Sequence, residues 1–127
     1  MPEESADQAI LGYQRKAKQA IDSAEFFLTL NETSGSIDRA STGIFHTARM
    51  ALLDAGCSLQ CLQSNSGVLT EFKNLSYKDP ALFQIVEKAQ ALNKKANFEA
   101  VEADEHEAKE LLKDAKTFHS EVLNLIS

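Results

Sequence analysis

The spacing of apolar residues constrains the fold most, because they recur every three or four positions through most of this 127-residue chain. No segment alternates apolar and polar residues, over a useful length, with the two-residue period of a half-buried strand. Gly and Pro, which interrupt helices, number only five and two. The clearest amphipathic stripe lies near the end of the chain, at Ala108, Leu111, Leu112, Ala115, Phe118, Val122, Leu123 and Ile126.

Capping signals predict where the first two helices begin and end. Ser5 and Gln8 form a capping box that should begin a long helix, and Asn31–Gly35 has the composition of a turn. Ser36 is the predicted N-cap of the second helix. Gly56 stands where a left-handed glycine usually ends a helix.

Start signals of the same kind mark the later helices. Asp followed by Pro favours the first turn of a helix, and an Asp-x-x-Glu box does the same. The elements predicted here are a loop or short helical turn at Cys57–Asn65, a short helix at Ser66–Asn74, and two long helices that begin at Asp79-Pro80 and at Asp104 with Glu107.

Short connections between long helices favour antiparallel neighbours. We therefore expect residues 1–127 to form a single all-α domain, an antiparallel up-and-down helical bundle of four long helices plus one short helix. The net charge of −6 argues against nonspecific coating of nucleic acid, although it leaves room for a local basic pocket. No apolar run is long enough to span a bilayer, and no secretory leader is visible. We expect a cytoplasmic protein without membrane contact.

The two cysteines, Cys57 and Cys61, are four residues apart and have no accompanying set of Cys or His partners. Structural zinc sites usually combine four Cys or His ligands at defined spacings. We therefore expect reduced thiols, no metal site and no cofactor.

The stretch DRASTGIFHTARMALL combines basic and apolar residues on one side of the second predicted helix. Arg39 and His46 are seven residues apart, so on a helix they differ by only ~20° and lie ~10 Å apart along the axis. They lie opposite the line of core residues, on a side that should face outward. Clustered apolar residues on an outward face are typical of an interface. We predict a two-fold homodimer in which Arg39 and His46 line a shared cleft and whose interface contains Gly43, Met50 and Leu53.

The longer run SIDRASTGIFHTARMALL resembles the motif helix of HEPN domains, the higher-eukaryote and prokaryote nucleotide-binding family, and in particular its stand-alone prokaryotic branch. The resemblance extends over nearly the whole chain, from Tyr13 in the first helix to Phe118 in the last. Ser41-Thr42 stands where this branch has two tyrosines, so two base-stacking rings are missing. The matching positions in the motif helix are Arg39, Ala40, Phe45, His46, Ala48, Arg49, Leu52 and Leu53.

The resemblance implies an all-α bundle that dimerises through the motif helix. Many HEPN proteins have an arginine followed four to six residues later by a histidine, and these are metal-independent ribonucleases. Arg39 and His46, with six residues between them, fit that spacing. Many relatives are paired with a minimal nucleotidyltransferase as toxin and antitoxin in prokaryotes, whereas others are inactive or only bind nucleotides.

Two functions remain open at this point. In a ribonuclease, His46 would be the general acid or base and Arg39 would hold the RNA phosphate. Arg49 and Thr42 are further candidates for binding a nucleotide phosphate. The alternative is a non-catalytic nucleotide-binding or interaction module that pairs with a minimal nucleotidyltransferase. An acidic chain and the missing tyrosines favour this second function.

Overall fold

A computed structural model describes residues 6–75, 79–98 and 103–126, and this part of the chain is helical without any strand. The all-α prediction is therefore confirmed for these residues, whereas the predicted cap at Ser5 lies outside them. A short 3₁₀ helix at Leu59–Leu62 occupies the segment predicted as a loop or helical turn. The helices are α1 Ala6–Thr29, α2 Thr33–Asp54, α3 Asn65–Leu75, α4 Pro80–Phe98 and α5 Glu105–Ile126.

Several predicted helix ends are confirmed by backbone conformation or by hydrogen bonds. Gly56 follows α2 with a φ of 96°, a left-handed conformation that favours glycine. At the start of α4, the carboxylate of Asp79 accepts a hydrogen bond from the backbone N–H of Ala81 at 3.1 Å. At the start of α5, the Glu107 N–H donates to the Asp104 carboxylate at 3.1 Å, and the Asp104 N–H donates to the Glu107 carboxylate at 3.3 Å. This is the reciprocal pattern of a capping box.

The predicted start of the second helix is wrong. α2 begins at Thr33, and Ser36 lies inside it and is fully buried. The hydroxyl of Ser36 donates a hydrogen bond to the backbone carbonyl of Ala24 in α1 at 2.8 Å. A buried hydroxyl needs a partner, and here a neighbouring helix supplies one. The turn is shorter than predicted because Asn31 adopts a φ of 60°, which reverses the chain in few residues.

Contacts between α1 and α2 show that these two helices run in opposite directions. Ser36, near the start of α2, bonds to Ala24 near the end of α1. His46, farther along α2, stacks on Tyr13, which lies earlier in α1. The order of contacts is thus reversed between the two helices.

The same reversal relates α2 to α4 and α4 to α5. Between α2 and α4, Asp38 accepts a hydrogen bond from Asn93 at 3.0 Å, and the hydroxyl of Ser41 donates to the carbonyl of Ala89 at 3.2 Å. Between α4 and α5, two ion pairs show the opposite directions of the helices, Lys88 with Asp114 at 3.0 Å and Lys95 with Glu107 at 2.9 Å.

α2 packs against α1, α3, α4 and α5, and 13 of its 22 residues are buried. These neighbours explain why α2 has apolar residues on more than one face, because a helix that is packed on several sides buries several faces. None of the described helices combines the length and the apolar character needed to cross a membrane.

The prediction that Gly43, Met50 and Leu53 face outward is wrong. Met50 is 0% exposed and Leu53 is 5% exposed within the single chain. A Cβ atom at Gly43 would lie 2.8 Å from Cγ1 of Ile21 and 3.3 Å from the carbonyl oxygen of Ala17, both in α1. The close neighbour that requires a glycine is therefore α1 of the same chain. These three residues are not available as a surface for a second copy.

Candidate functional site

Four polar residues of α2 lie along one stripe of the helix, and their exposure falls toward its C-terminal end. Arg39 is exposed, Thr42 and His46 are half-buried, and Arg49 is only 7% exposed. The hydroxyl of Thr42 donates to the backbone carbonyl of Asp38 at 2.9 Å, so it is engaged within its own helix. No hydrogen bond, ion pair or ring contact joins Arg39 to His46 among the described residues.

His46 and Arg49 instead meet α1. The ring of His46 stacks on that of Tyr13, with centroids 5.5 Å apart and planes inclined by 27°. The ammonium nitrogen of Lys16 lies 5.8 Å from the Tyr13 centroid, and the guanidinium carbon of Arg49 lies 5.9 Å from it. Both distances are within the range of cation–π attraction. We call Tyr13, Lys16, His46 and Arg49 the Tyr13 cluster.

The antiparallel packing of α1 on α2 explains why this cluster forms. Tyr13 and Lys16 are one helical turn apart, and so are His46 and Arg49, so each pair projects from one side of its helix. The reversed directions of α1 and α2 then bring the two pairs together.

The side chain of Arg49 is held in one orientation by two hydrogen bonds. Its Nε donates to the backbone carbonyl of Leu62 in the 3₁₀ helix at 2.9 Å, and its Nη2 donates to the side-chain oxygen of Asn65 at 3.0 Å. Both acceptors are neutral. Burial lowers the pKa of Arg49, and Tyr13 opposes that change. Arginine nevertheless keeps its charge in proteins, so the site contains a largely buried cation.

His46 is neutral at physiological pH in this environment. Burial, followed by the positive charges of Arg49 and Lys16, lowers its pKa from 6.5 to about 4. Its Nδ1 atom is buried and has no hydrogen-bond partner among the described residues. A neutral imidazole cannot donate the proton that a general acid must supply.

A surface depression of about 120 Å³ opens beside the Tyr13 cluster. Tyr13 and Lys16 form part of its wall, and Gly12 leaves room between them and the 3₁₀ helix. A Cβ atom at Gly12 would meet no atom within 4 Å. The full lining is Ala9, Gly12, Tyr13, Lys16 and Leu59.

Other residues with reactive or titratable side chains lie apart from this cluster. Cys57 is half-buried, with burial and the carboxylate of Glu71 raising the pKa of its thiol, and Cys61 is exposed. His106 pairs with Glu110 at 3.7 Å on the surface, and His119 is half-buried in α5. Within residues 6–75, 79–98 and 103–126, no three side chains of His, Cys, Asp or Glu gather where they could bind a metal ion.

Sequence reasoning missed Tyr13 and Lys16 as partners of His46. The sequence did contain a signal for them. An aromatic residue is followed one turn later by a basic residue, on a helix expected to pack against the second helix. The sequence analysis did identify His46, Arg49 and Arg39 as candidates. The structure brings His46 and Arg49 together at Tyr13 and leaves Arg39 outside the cluster.

Comparison of this chain with models of known protein families and with curated proteins gives no match.

Proposed function

We propose that this chain is a HEPN-like domain that binds an anionic group, such as the phosphate of a nucleotide, at the Tyr13 cluster without cleaving RNA. The observation behind the proposal is that two cations converge on one ring and neither is neutralised. No ion pair among the described residues involves Lys16 or Arg49. A largely buried cation without a carboxylate partner favours an anion from outside the chain.

We also infer that the four long helices form one antiparallel up-and-down bundle, with α3 as the short additional helix. The reversed order of contacts in three helix pairs supports this arrangement. The HEPN assignment rests on the motif residues of α2, most of which are buried. Within that assignment, a homodimer, a minimal nucleotidyltransferase partner and a cytoplasmic location remain predictions.

The size of the depression suggests which part of a ligand would enter it. Sites that enclose a whole small molecule typically have volumes of roughly 300–1,000 Å³. The depression beside Tyr13 has about 120 Å³. A phosphate group would fit beside Lys16, which lines the depression, and the rest of the nucleotide would remain on the surface.

The state of His46 favours binding over catalysis. Because its pKa is lowered to about 4, His46 lacks the imidazolium proton of a general acid near neutral pH and is only a weak general base. Arg39, the other predicted catalytic residue, is exposed, and no hydrogen bond or ring contact among the described residues joins it to the imidazole. In the binding site, neutral His46 would instead hold the Tyr13 ring through their stacking contact.

Fluorescence anisotropy with labelled ATP and labelled single-stranded RNA tests the proposal. Lys16→Ala should weaken binding about tenfold or more, because a charge-assisted hydrogen bond contributes about 1.5–3 kcal/mol. Lys94→Ala is the matched control, since Lys94 is exposed on α4 and its substitution also removes one positive charge. Binding should weaken as salt concentration rises.

RNA cleavage in the presence of EDTA separates binding from catalysis. We expect wild-type protein to leave the RNA intact. Cleavage that disappears in His46→Ala would establish the ribonuclease and overturn the proposal. Equal binding by wild type, Lys16→Ala and Lys94→Ala would remove the Tyr13 cluster as the site.

A further inference from the structure

The outward face of α1 presents two large apolar side chains that the described chain leaves uncovered. Leu11 is 60% exposed and Phe26 is 61% exposed. Arg15 and Asp22 lie between them, and all four fall within ~60° around the helix axis. The buried face of α1, which includes Ala20, lies on the opposite side. In sequence order these four residues are apolar, basic, acidic and apolar, and exposed Lys18 lies ~20° from Leu11 on the same side of the helix.

The order is symmetric about the middle of the helix, between Lys18 and Gln19. Leu11 lies seven residues before Lys18, and Phe26 lies seven residues after Gln19. Arg15 lies three residues before Lys18, and Asp22 lies three after Gln19. If a two-fold axis passed through this midpoint, a second antiparallel α1 would place Leu11 opposite Phe26 and Arg15 opposite Asp22, each pair twice.

We propose that a second copy of this chain docks here, with the two α1 helices antiparallel. We call the outward face formed by Leu11, Arg15, Asp22 and Phe26 the α1 seam. Arg15 and Asp22 have no ion-pair partner among the described residues, so both charges are available to another chain. A two-fold interface uses the same patch twice, so the patch must fit a second copy of itself in the reversed direction. The four residues of the α1 seam meet this condition.

Charge determines the direction of the two helices. In a parallel pair, Arg15 would face Arg15 and Asp22 would face Asp22, which is repulsive. In the antiparallel pair, each Arg15 faces an Asp22, and arginine can bind a carboxylate through two parallel hydrogen bonds. Exposed ion pairs stabilise an interface only weakly, so their main effect is to select the register.

The apolar residues stabilise the seam. A depression of about 420 Å³ lies beside Leu11, lined by Leu11, Gln14, Arg15 and Lys18. A second depression of about 280 Å³ lies beside Phe26, lined by Asp22, Glu25, Phe26 and Thr29. In the antiparallel register, Phe26 of one copy enters the depression beside Leu11 of the other. Burying an aromatic side chain in this way is a common anchor of protein interfaces.

The α1 seam is separate from the Tyr13 cluster. Tyr13 lies ~160° around the helix from Leu11, so docking along the seam leaves both anion-binding sites of a dimer open. One helix from each copy is a small contact compared with the roughly 1,200–2,000 Å² of a stable interface. The dimer should therefore form reversibly and dissociate on dilution.

Charge-swap variants followed by sedimentation velocity over a range of concentrations test this proposal. Arg15→Glu places two acids opposite each other, and Asp22→Arg places two bases opposite each other. Each variant should raise the dissociation constant of the homodimer about tenfold or more. Mixing the two variants should restore the dimer, because each repaired pair then joins opposite charges. Lys94→Glu and Asp54→Arg are matched controls, since they change the net charge equally at exposed sites off the seam.

The results support or overturn the proposal as follows. Weak association of each variant alone, together with recovery in the mixture, supports the antiparallel seam. A wild type with the mass of one chain at every concentration overturns it. Charge-swap variants that dimerise as tightly as the wild type also overturn it. A mixture of the two variants that does not regain the dimer overturns it as well. All of these residues are exposed, so the helical circular dichroism signal should be the same in every variant.

Discussion

His46→Phe should reduce the dependence of stability on pH. Burial, followed by the charges of Arg49 and Lys16, lowers the pKa of His46 from 6.5 to about 4 in the folded chain. Between these values the unfolded chain binds a proton that the folded chain does not, so protonation favours unfolding. The stability linked to His46 is complete above pH 6.5 and is lost progressively as the pH falls to about 4.

The expected magnitude follows from the same two pKa values. The ring keeps part of its solvent access, so we expect the free energy of unfolding to fall by about 1 kcal/mol between about pH 7 and about pH 5 through His46. Phenylalanine keeps a ring against Tyr13 and cannot titrate. It also removes the buried Nδ1 that has no partner among the described residues.

Urea unfolding at about pH 7 and about pH 5 measures the effect, and most carboxylates remain ionised over that interval. Over this pH interval, the free energy of unfolding of His46→Phe should fall by about 1 kcal/mol less than that of the wild type. His106→Gln is the control, since it removes a histidine at an exposed site on α5, away from the Tyr13 cluster. Equal pH dependence in the wild type and His46→Phe would refute the reasoning.

Two further substitutions test the packing around α2. Gly43→Ala should lower the free energy of unfolding by about 1–3 kcal/mol, because the new Cβ would lie 2.8 Å from a side-chain carbon of Ile21. Gly12→Ala should raise it by about 0.5–1 kcal/mol, because a Cβ there meets no atom within 4 Å. Calorimetry or urea unfolding that ranks these two variants the other way would contradict the α1–α2 contact. Arg49→Leu loses two hydrogen bonds and should lower the free energy of unfolding by about 2–3 kcal/mol, while Arg39→Leu should change it by less than about 0.5 kcal/mol. Equal effects of the two arginine substitutions on urea unfolding would contradict the difference in their environments.

The helices and most of their ends were predictable from the sequence because they depend on neighbours close in the chain. Apolar spacing indicated long helices, and the capping box of Asp104 and Glu107 and the glycine at position 56 act within one turn. Ser36 was the exception. Its hydroxyl bonds to Ala24 in another helix, so a local capping rule could not assign its role.

The surroundings of α2 were decided only by the tertiary structure. A helical wheel gives the direction of each side chain around one axis, but it does not say how many other helices lie there. Gly43 and Met50 were therefore expected on an outward face, although α1 covers Gly43 and the core encloses Met50. The sequence by itself determined that His46 and Arg49 share one side of a helix. Only the antiparallel packing of α1 brought Tyr13 to that side, and the resulting burial and nearby charges are what lower the pKa of His46.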